Sequence, residues 1–214
     1  MEILVLAAHP DDEVLGMGGT IKKLTKKGHK VSLCVVSEGS SAQYTDKKLI
    51  QVRKKDCLDS SEILGISKVE FLELPDMKLD TISHLEINKK LESIITRIKP
   101  KIVFSTPFND LNLDHKKVFE SCLIATRPLS TSVKEIYCYE IPGIKQDPFN
   151  PNVYENISKE LSSKIKAFKM YKSEVRKFPH PRSVEAIKNL AIFRGIESGL
   201  KNAEAFQLIR KIND

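Results

Sequence analysis

Ile3-Leu4-Val5-Leu6-Ala7-Ala8-His9-Pro10-Asp11-Asp12-Glu13 is the stretch on which the reading of this chain turns. Six apolar residues run together, and residues 3–7 among them read as a short strand. They stop at a histidine, a proline and three consecutive acids. Beyond these, Val14, Met17, Gly18, Ile21 and Thr25 recur at helical spacing until Gly28. Pro10 suits a first helical turn, and acids suit the positive end of a helix dipole. A strand therefore passes directly into a helix.

The same alternation continues outward. Short runs rich in β-branched and aromatic residues predict further strands at 31–37, 69–74, 102–106 and 135–140. Periodic segments predict helices at 45–64, 83–98 and 116–125. A βαβαβ rhythm implies an α/β fold, Rossmann-like, with a mostly parallel sheet and helices on both faces. Three prolines mark 142–152 as a loop, followed by expected helices at 157–176 and 184–199. The expectation is one domain over 1–214: an α/β core at 1–141, with the loop and helices of 142–214 packed on it as a helical C-terminal extension. Gly16-Met17-Gly18-Gly19 lacks the spacing of a dinucleotide loop and reads as close helix–sheet packing.

Composition narrows the classes. At 214 residues with 41% hydrophobic and 29% charged content, the chain suits a soluble globular protein with a substantial core. No window has the apolar length of a membrane span, and the first apolar run is too short for a signal peptide. Cys34, Cys57, Cys122 and Cys138 form no CxxC pair, which argues against a thiolate zinc site and suits a reducing, cytoplasmic setting. The net charge of +7 comes mainly from lysines flanking helical stripes, a solvated surface rather than a nucleic-acid face. A homo-oligomer is compatible with all of this.

A helix start explains the proline and an acid, but not His9, nor three neighbouring carboxylates that repel one another. Ligands in open α/β sheets bind outside the carboxyl ends of the strands, where this segment falls. His9 and Asp12, three residues apart across the turn, can converge on a metal, while Asp11 projects differently. Strand 102–106 runs into Pro107-Phe108-Asn109-Asp110-Leu111-Asn112-Leu113-Asp114-His115, at the matching end of another strand. His115 is the best third ligand, and Asp114 suits orienting a neighbour or contacting substrate. Three protein ligands with an open position describe a catalytic zinc, whose bound water an adjacent carboxylate can deprotonate. Fe2+, Mn2+ or Co2+ suit the same donors.

Ala8-His9-Pro10-Asp11-Asp12-Glu13 resembles the signature of the PIG-L/LmbE-like de-N-acetylases, and Asp114-His115 resembles that family's second motif. Weaker echoes are Arg53 with Asp56, Leu74-Pro75-Asp76, His180-Pro181-Arg182-Ser183, Arg194-Gly195 and Ala203-Glu204-Ala205-Phe206. The resemblance implies removal of an acetyl group from a small N-acetylated sugar or sugar conjugate. It makes His9, Asp12 and His115 the zinc ligands and Asp11 the general base. Many members carry a histidine where this chain has Asn112, whose amide can donate to an oxyanion but cannot act as an acid near pH 7. Arg53 lies on the apolar face of its helix and needs a partner. Asp56, one turn on, would make it structural; the resemblance makes it a substrate-pocket residue. His180 and Arg182 are expected at the pocket mouth. Two competing classes remain. One is an iron oxygenase with two histidines and one carboxylate, against which the βαβ rhythm and the spare carboxylate of Asp11 argue. The other is a non-catalytic sugar-binding protein, suggested by Asn112, which would have no use for Asp11 as a base.

Overall fold

The computed structural model describes residues 1–39, 47–143 and 147–213. The first two residues of the helix expected at 45–64 lie outside them. Five parallel strands follow the expected rhythm: β1 (Glu2–Ala7), β2 (Lys30–Ser37), β3 (Lys68–Leu74), β4 (Ile102–Ser105) and β5 (Glu135–Tyr139). Between them lie α1 (Asp12–Lys26), α2 (Lys47–Leu64), α3 (His84–Ile98) and α4 (Leu113–Ala125). The sheet is seven-stranded, ordered β3-β2-β1-β4-β5-β7-β6. Chain order reverses between β1 and β4, which pair in parallel through Ile3–Ile102, Leu4–Val103 and Val5–Phe104. That is the switch point where the loops leaving two adjacent strands part to opposite faces and open a crevice.

Strand β1 shows why its apolar run does not alternate. Ile3, Val5 and Ala7 enter a core with residues of α1 and α2, while Leu4, Leu6 and Ala8 enter a second core with residues of α3 and α4. Both faces are covered, so both parities must be apolar. The glycines of α1 permit close approach, as expected: a Cβ on Gly16 would lie 2.2 Å from the Tyr139 ring, and one on Gly19 2.8 Å from Ile157.

The C-terminal part differs from expectation in two ways. Two strands, β6 (Val153–Asn156) and β7 (Ala203–Lys211), join the sheet, with β7 antiparallel to both β5 and β6. The helix expected at 157–176 is only α5 (Leu161–Phe168); the chain then turns inward, burying Tyr171 and Glu174. Pro10 also precedes the first helical turn, because Asp11 is the N-cap of α1. The last helix, α6 (Val184–Ser198), ends as expected at Gly199, whose φ of +69° closes it. Among the described residues no helix is long and apolar enough to cross a membrane. All four cysteines are buried and unpaired.

Candidate metal centre and active site

His9 leaves the end of β1, and His115 stands in the first turn of α4, after the loop from β4. Because β1 and β4 are neighbours, two imidazoles separated by 106 residues meet: His115 Nε2 lies 3.3 Å from His9 Nδ1. Asp12 completes the group, with Oδ2 3.4 Å from His9 Nδ1 and Oδ1 3.4 Å from His115 Nε2. All three residues are buried, and their donor atoms lie within 4.8 Å of one another.

Two carboxylates decide which nitrogens face inward. His9 Nε2 is 3.0 Å from Asp114 Oδ2, and His115 Nδ1 is 2.9 Å from Asp110 Oδ2. Each imidazole donates its N–H to an acid, which leaves the lone pairs of His9 Nδ1 and His115 Nε2 directed at the shared space. Asp114 is fully engaged there, since it also accepts from the Met77 and Leu79 backbone amides at 2.8 and 3.0 Å. Buried and bonded in this way, its carboxylate is held against the His9 ring and is absent from the cleft lining.

The arrangement fits a cation. Two imidazole lone pairs 3.3 Å apart repel unless a positive charge lies between them. Asp12 Oδ1 is buried without a hydrogen-bond donor. Four acids, Asp12, Asp76, Asp110 and Asp114, surround two imidazoles. With protons as the only counter-charge, burial pulls His9 down, but Asp114, Asp12 and Asp76 outweigh it and push its pKa up to about 10. For His115 burial is likewise outweighed, by Asp12 and Asp110, to about 9. Burial opposes the charge on Asp12 too, yet the imidazoles hold its carboxyl well below the usual range. A second group, His9 with Asp76 and Asp114, uses the nitrogen that donates to Asp114 and so belongs to the outer support of the first.

Asp11 stands beside this centre and outside it. Its backbone has φ 122°, ψ −22°, a conformation uncommon for any residue but glycine, of the kind that concentrates at functional sites. Glu13 braces that turn: Oε2 accepts from the Asp11 amide at 3.2 Å and Oε1 from the Tyr171 hydroxyl at 2.5 Å. Both Asp11 oxygens are buried, and neither meets a hydrogen-bond donor among the described residues. Arg182 Nη1 lies 3.5 Å from Oδ2 and Arg53 Nη2 3.8 Å from Oδ1. Burial raises the Asp11 pKa, the two arginines moderate it, and it comes to about 6.

A cleft of about 210 Å³ opens over these groups, lined by His9, Gly39, Arg53, Asp76, Met77, Asn112, Glu174 and Arg182. Asn112 caps α4, its Oδ1 accepting from the Asp114 amide at 2.9 Å, so only its amide NH2 can donate toward the cleft. Arg53 does reach the cleft, and its partners are not on its own helix: it donates to the carbonyls of Gly39 and Pro10 and lies near Asp11 and Glu174. His180 does not line the cleft. Its ring is exposed, and Nδ1 accepts the Arg182 amide at 3.0 Å, so it shapes the loop that carries Arg182. Of the other C-terminal echoes, Arg194 clamps α6 to Glu140 with two hydrogen bonds, at 2.7 and 2.8 Å.

Two residues of this site, Asp110 and Glu174, escaped the reading of the sequence, and Asp76 entered it only within the Leu74-Pro75-Asp76 echo, with no role given. Asp110 lies five positions before His115 in the same loop, and Asp76 follows the end of β3, so strand ends were a usable signal for both. Glu174 had none: its place depends on where α5 stops.

A family model described as PIG-L, GlcNAc-PI de-N-acetylase, matches residues 4–126. The diacetylchitobiose deacetylase of Thermococcus kodakarensis is 25% identical over 97% of this chain and 83% of its own length. The probable N-acetyl-alpha-D-glucosaminyl L-malate deacetylase 2 of Bacillus cereus is 28% identical over 80% of this chain and 83% of its own. Among solved structures, GalB, the 4-carboxy-2-hydroxymuconate hydratase from Pseudomonas putida KT2440, superposes with a TM-score of 0.82 at 21% identity, covering 100% of this chain and 98% of that one. That last likeness concerns the fold alone, and a fold can carry several reactions.

Proposed function

This chain belongs to the PIG-L family of GlcNAc-PI de-N-acetylases, and from that membership we propose that it is a metal-dependent hydrolase of the N-acetyl group of an amino sugar or sugar conjugate. Relatives named for diacetylchitobiose and for glucosaminyl L-malate support the substrate class. The observation that carries the reading is the convergence of His9 Nδ1, Asp12 and His115 Nε2 beside a buried carboxylate, Asp11, that has no donor.

His9, Asp12 and His115 would hold the cation, zinc by the chemistry of two imidazoles and a carboxylate, with Fe2+, Mn2+ or Co2+ as alternatives. Such a cation supplies Lewis acidity toward a carbonyl oxygen and makes water more acidic. Asp110 and Asp114 keep the two imidazoles in the tautomers that ligation needs. Asp11 accepts a proton from the water that adds to the acetamide carbon. The Asn112 amide donates toward the oxyanion so formed. As the C–N bond breaks, the proton on Asp11 passes to the sugar nitrogen, leaving acetate and a free amine. Asn112 has no proton to give, so Asp11 performs both transfers. Arg182, partly exposed at the cleft, and Arg53, beneath it, line the space the sugar would enter.

The C-terminal part belongs to the same domain in this reading, because β6 and β7 are hydrogen-bonded into the sheet that carries the site. Four buried thiols suit a reducing, cytoplasmic setting.

Asp11→Asn tests the mechanism. It is expected to keep bound Zn2+, measured by metal analysis, and to lose roughly 10²–10⁴-fold in kcat in a free-amine assay over a panel of N-acetylated sugars. Wild-type turnover by that variant would remove Asp11 from the reaction. Activity of the Zn2+-loaded protein without dioxygen separates hydrolysis from an iron oxygenase.

A further inference from the structure

We propose that Glu174 is a positioning residue that holds the Arg182 guanidinium off Asp11, so that both oxygens of that carboxylate stay free of a donor. The inference rests on the reading of Asp11 as the base.

A buried carboxylate between two guanidinium groups ordinarily closes on them, because charge-assisted N–H···O bonds form at about 2.7–2.9 Å. Asp11 has not closed. It is wholly buried, yet Arg182 Nη1 stands 3.5 Å from Oδ2 and Arg53 Nη2 3.8 Å from Oδ1. Each guanidinium is committed elsewhere. Arg53 is tied by the carbonyls of Gly39 and Pro10, the latter at 2.8 Å. Those acceptors are backbone atoms, and no side-chain change removes them.

Arg182 is held differently. Its Nη1 bonds Glu174 Oε2 at 2.5 Å, and its side chain is 32% exposed. Glu174 also lies 3.5 Å from Arg53 Nη1 and accepts from the Ser173 hydroxyl at 3.2 Å. Asp11, Arg53, Glu174 and Arg182 thus form a ring of alternating charge, drawn from α1, α2, the turn after α5 and the loop before α6. Glu174 is the only member whose removal releases a guanidinium toward Asp11. Without it, Asp11 Oδ2 is the carboxylate oxygen already beside Arg182 Nη1, and a closure of about 0.7 Å completes a bond. An N–H donor would then occupy the place where the O–H of water must bind.

The test compares Glu174→Met, which has similar bulk and no acceptor, with Glu174→Gln, which keeps one, and with Glu174→Met combined with Arg182→Met. Each is loaded with Zn2+ and assayed on N,N'-diacetylchitobiose beside wild type and Asp11→Asn, and each is crystallised. Glu174→Met is expected to lose roughly 10- to 100-fold in kcat, part of what a positioned base contributes, with KM moved far less. Its crystal structure should show Arg182 on Asp11 at hydrogen-bond distance. Glu174→Gln should lose only a few-fold. In the double variant no Arg182 guanidinium remains to close on Asp11, and its crystal structure should show the Asp11 oxygens free of a donor, as they are here.

Arg182 still 3.5 Å or more from Asp11 in the Glu174→Met crystal overturns the proposal, whether or not the probe is turned over. So does a Glu174→Met kcat equal to wild type. If Asp11→Asn is impaired and Glu174→Met is not, only this inference falls. If Asp11→Asn is fully active, the mechanism falls and takes the inference with it.

Discussion

Replacing Asp110 by asparagine probes the metal centre without touching a ligand. Asp110 accepts from His115 Nδ1 at 2.9 Å through Oδ2 and from the Asn112 backbone amide at 3.0 Å through Oδ1. An amide has one acceptor oxygen for these two donors. If that oxygen stays with the Asn112 amide, an NH2 group faces His115 Nδ1, which can no longer carry its own proton. The proton then moves to Nε2, the nitrogen that faces Asp12 and His9. If the oxygen turns to His115 instead, the loop loses its brace and the bond to the imidazole weakens. A hydrogen bond to a charged acceptor is worth roughly 1.5–3 kcal/mol and a neutral one about 1. Their difference, roughly 0.5–2 kcal/mol, corresponds to about 2- to 30-fold in Kd. This overlaps the 10–100-fold loss typical of outer partners to metal ligands. Asp110→Asn should therefore bind Zn2+ about tenfold more weakly. Competition against a chromophoric chelator measures the Kd, with circular dichroism as the control for folding. A Kd within about twofold of wild type in a folded variant would mean that His115 does not need Asp110 to ligate, and the tautomer argument would be wrong.

Two further predictions concern the scaffold. A Cβ on Gly195 would lie 2.6 Å from the Leu200 carbonyl oxygen and 2.9 Å from the Lys201 backbone, neither of which is a flexible tip. Gly195→Ala should cost about 1–3 kcal/mol, a fall of roughly 3–10 °C in Tm by scanning calorimetry; an unchanged Tm would deny the close approach of α6 to the turn at Leu200 and Lys201 that follows it. Lys164 is buried and donates to Glu204 Oε1 at 2.6 Å and to the Leu15 carbonyl at 2.8 Å. Lys164→Met leaves Glu204 with only the Gly19 and Thr20 amides, at 2.9 and 2.6 Å, and should lower Tm by roughly 10 °C. A loss under about 2 °C would show the pair to be replaceable.

What could be read along the chain is what short-range chemistry settles. The alternation of strand and helix signals announces a parallel sheet covered on both faces, and all five parallel strands lie within one or two residues of where their composition puts them. The abrupt passage from the apolar run of β1 into His9, Asp11 and Asp12 marks a strand end where ligands bind, because a helix start alone has no use for an imidazole and three acids. Asp114 and His115 were picked out on the same ground at the end of β4, and Asn112 only through the resemblance. Strands β6 and β7 were not. Val153–Asn156 is short and follows a proline-rich loop, and β7 inserts between β5 and β6 through pairing that no local pattern encodes. Asp114 shows the limit most clearly: its sequence neighbourhood allows either substrate contact or support, and only the folded chain brings His9, Met77 and Leu79 to it.

Local sequence determined the elements and the chemical types at the strand ends, since propensity, periodicity and capping act over a few residues. Tertiary structure alone decided the rest: which nitrogens of His9 and His115 face each other, that Asp110 holds one of them, and that Glu174 comes within reach of the Asp11 arginines. Those outcomes depend on distances between residues up to 171 positions apart in the chain, from Asp11 to Arg182. Such distances follow from strand order and packing, which emerge when the whole chain buries its apolar faces at once.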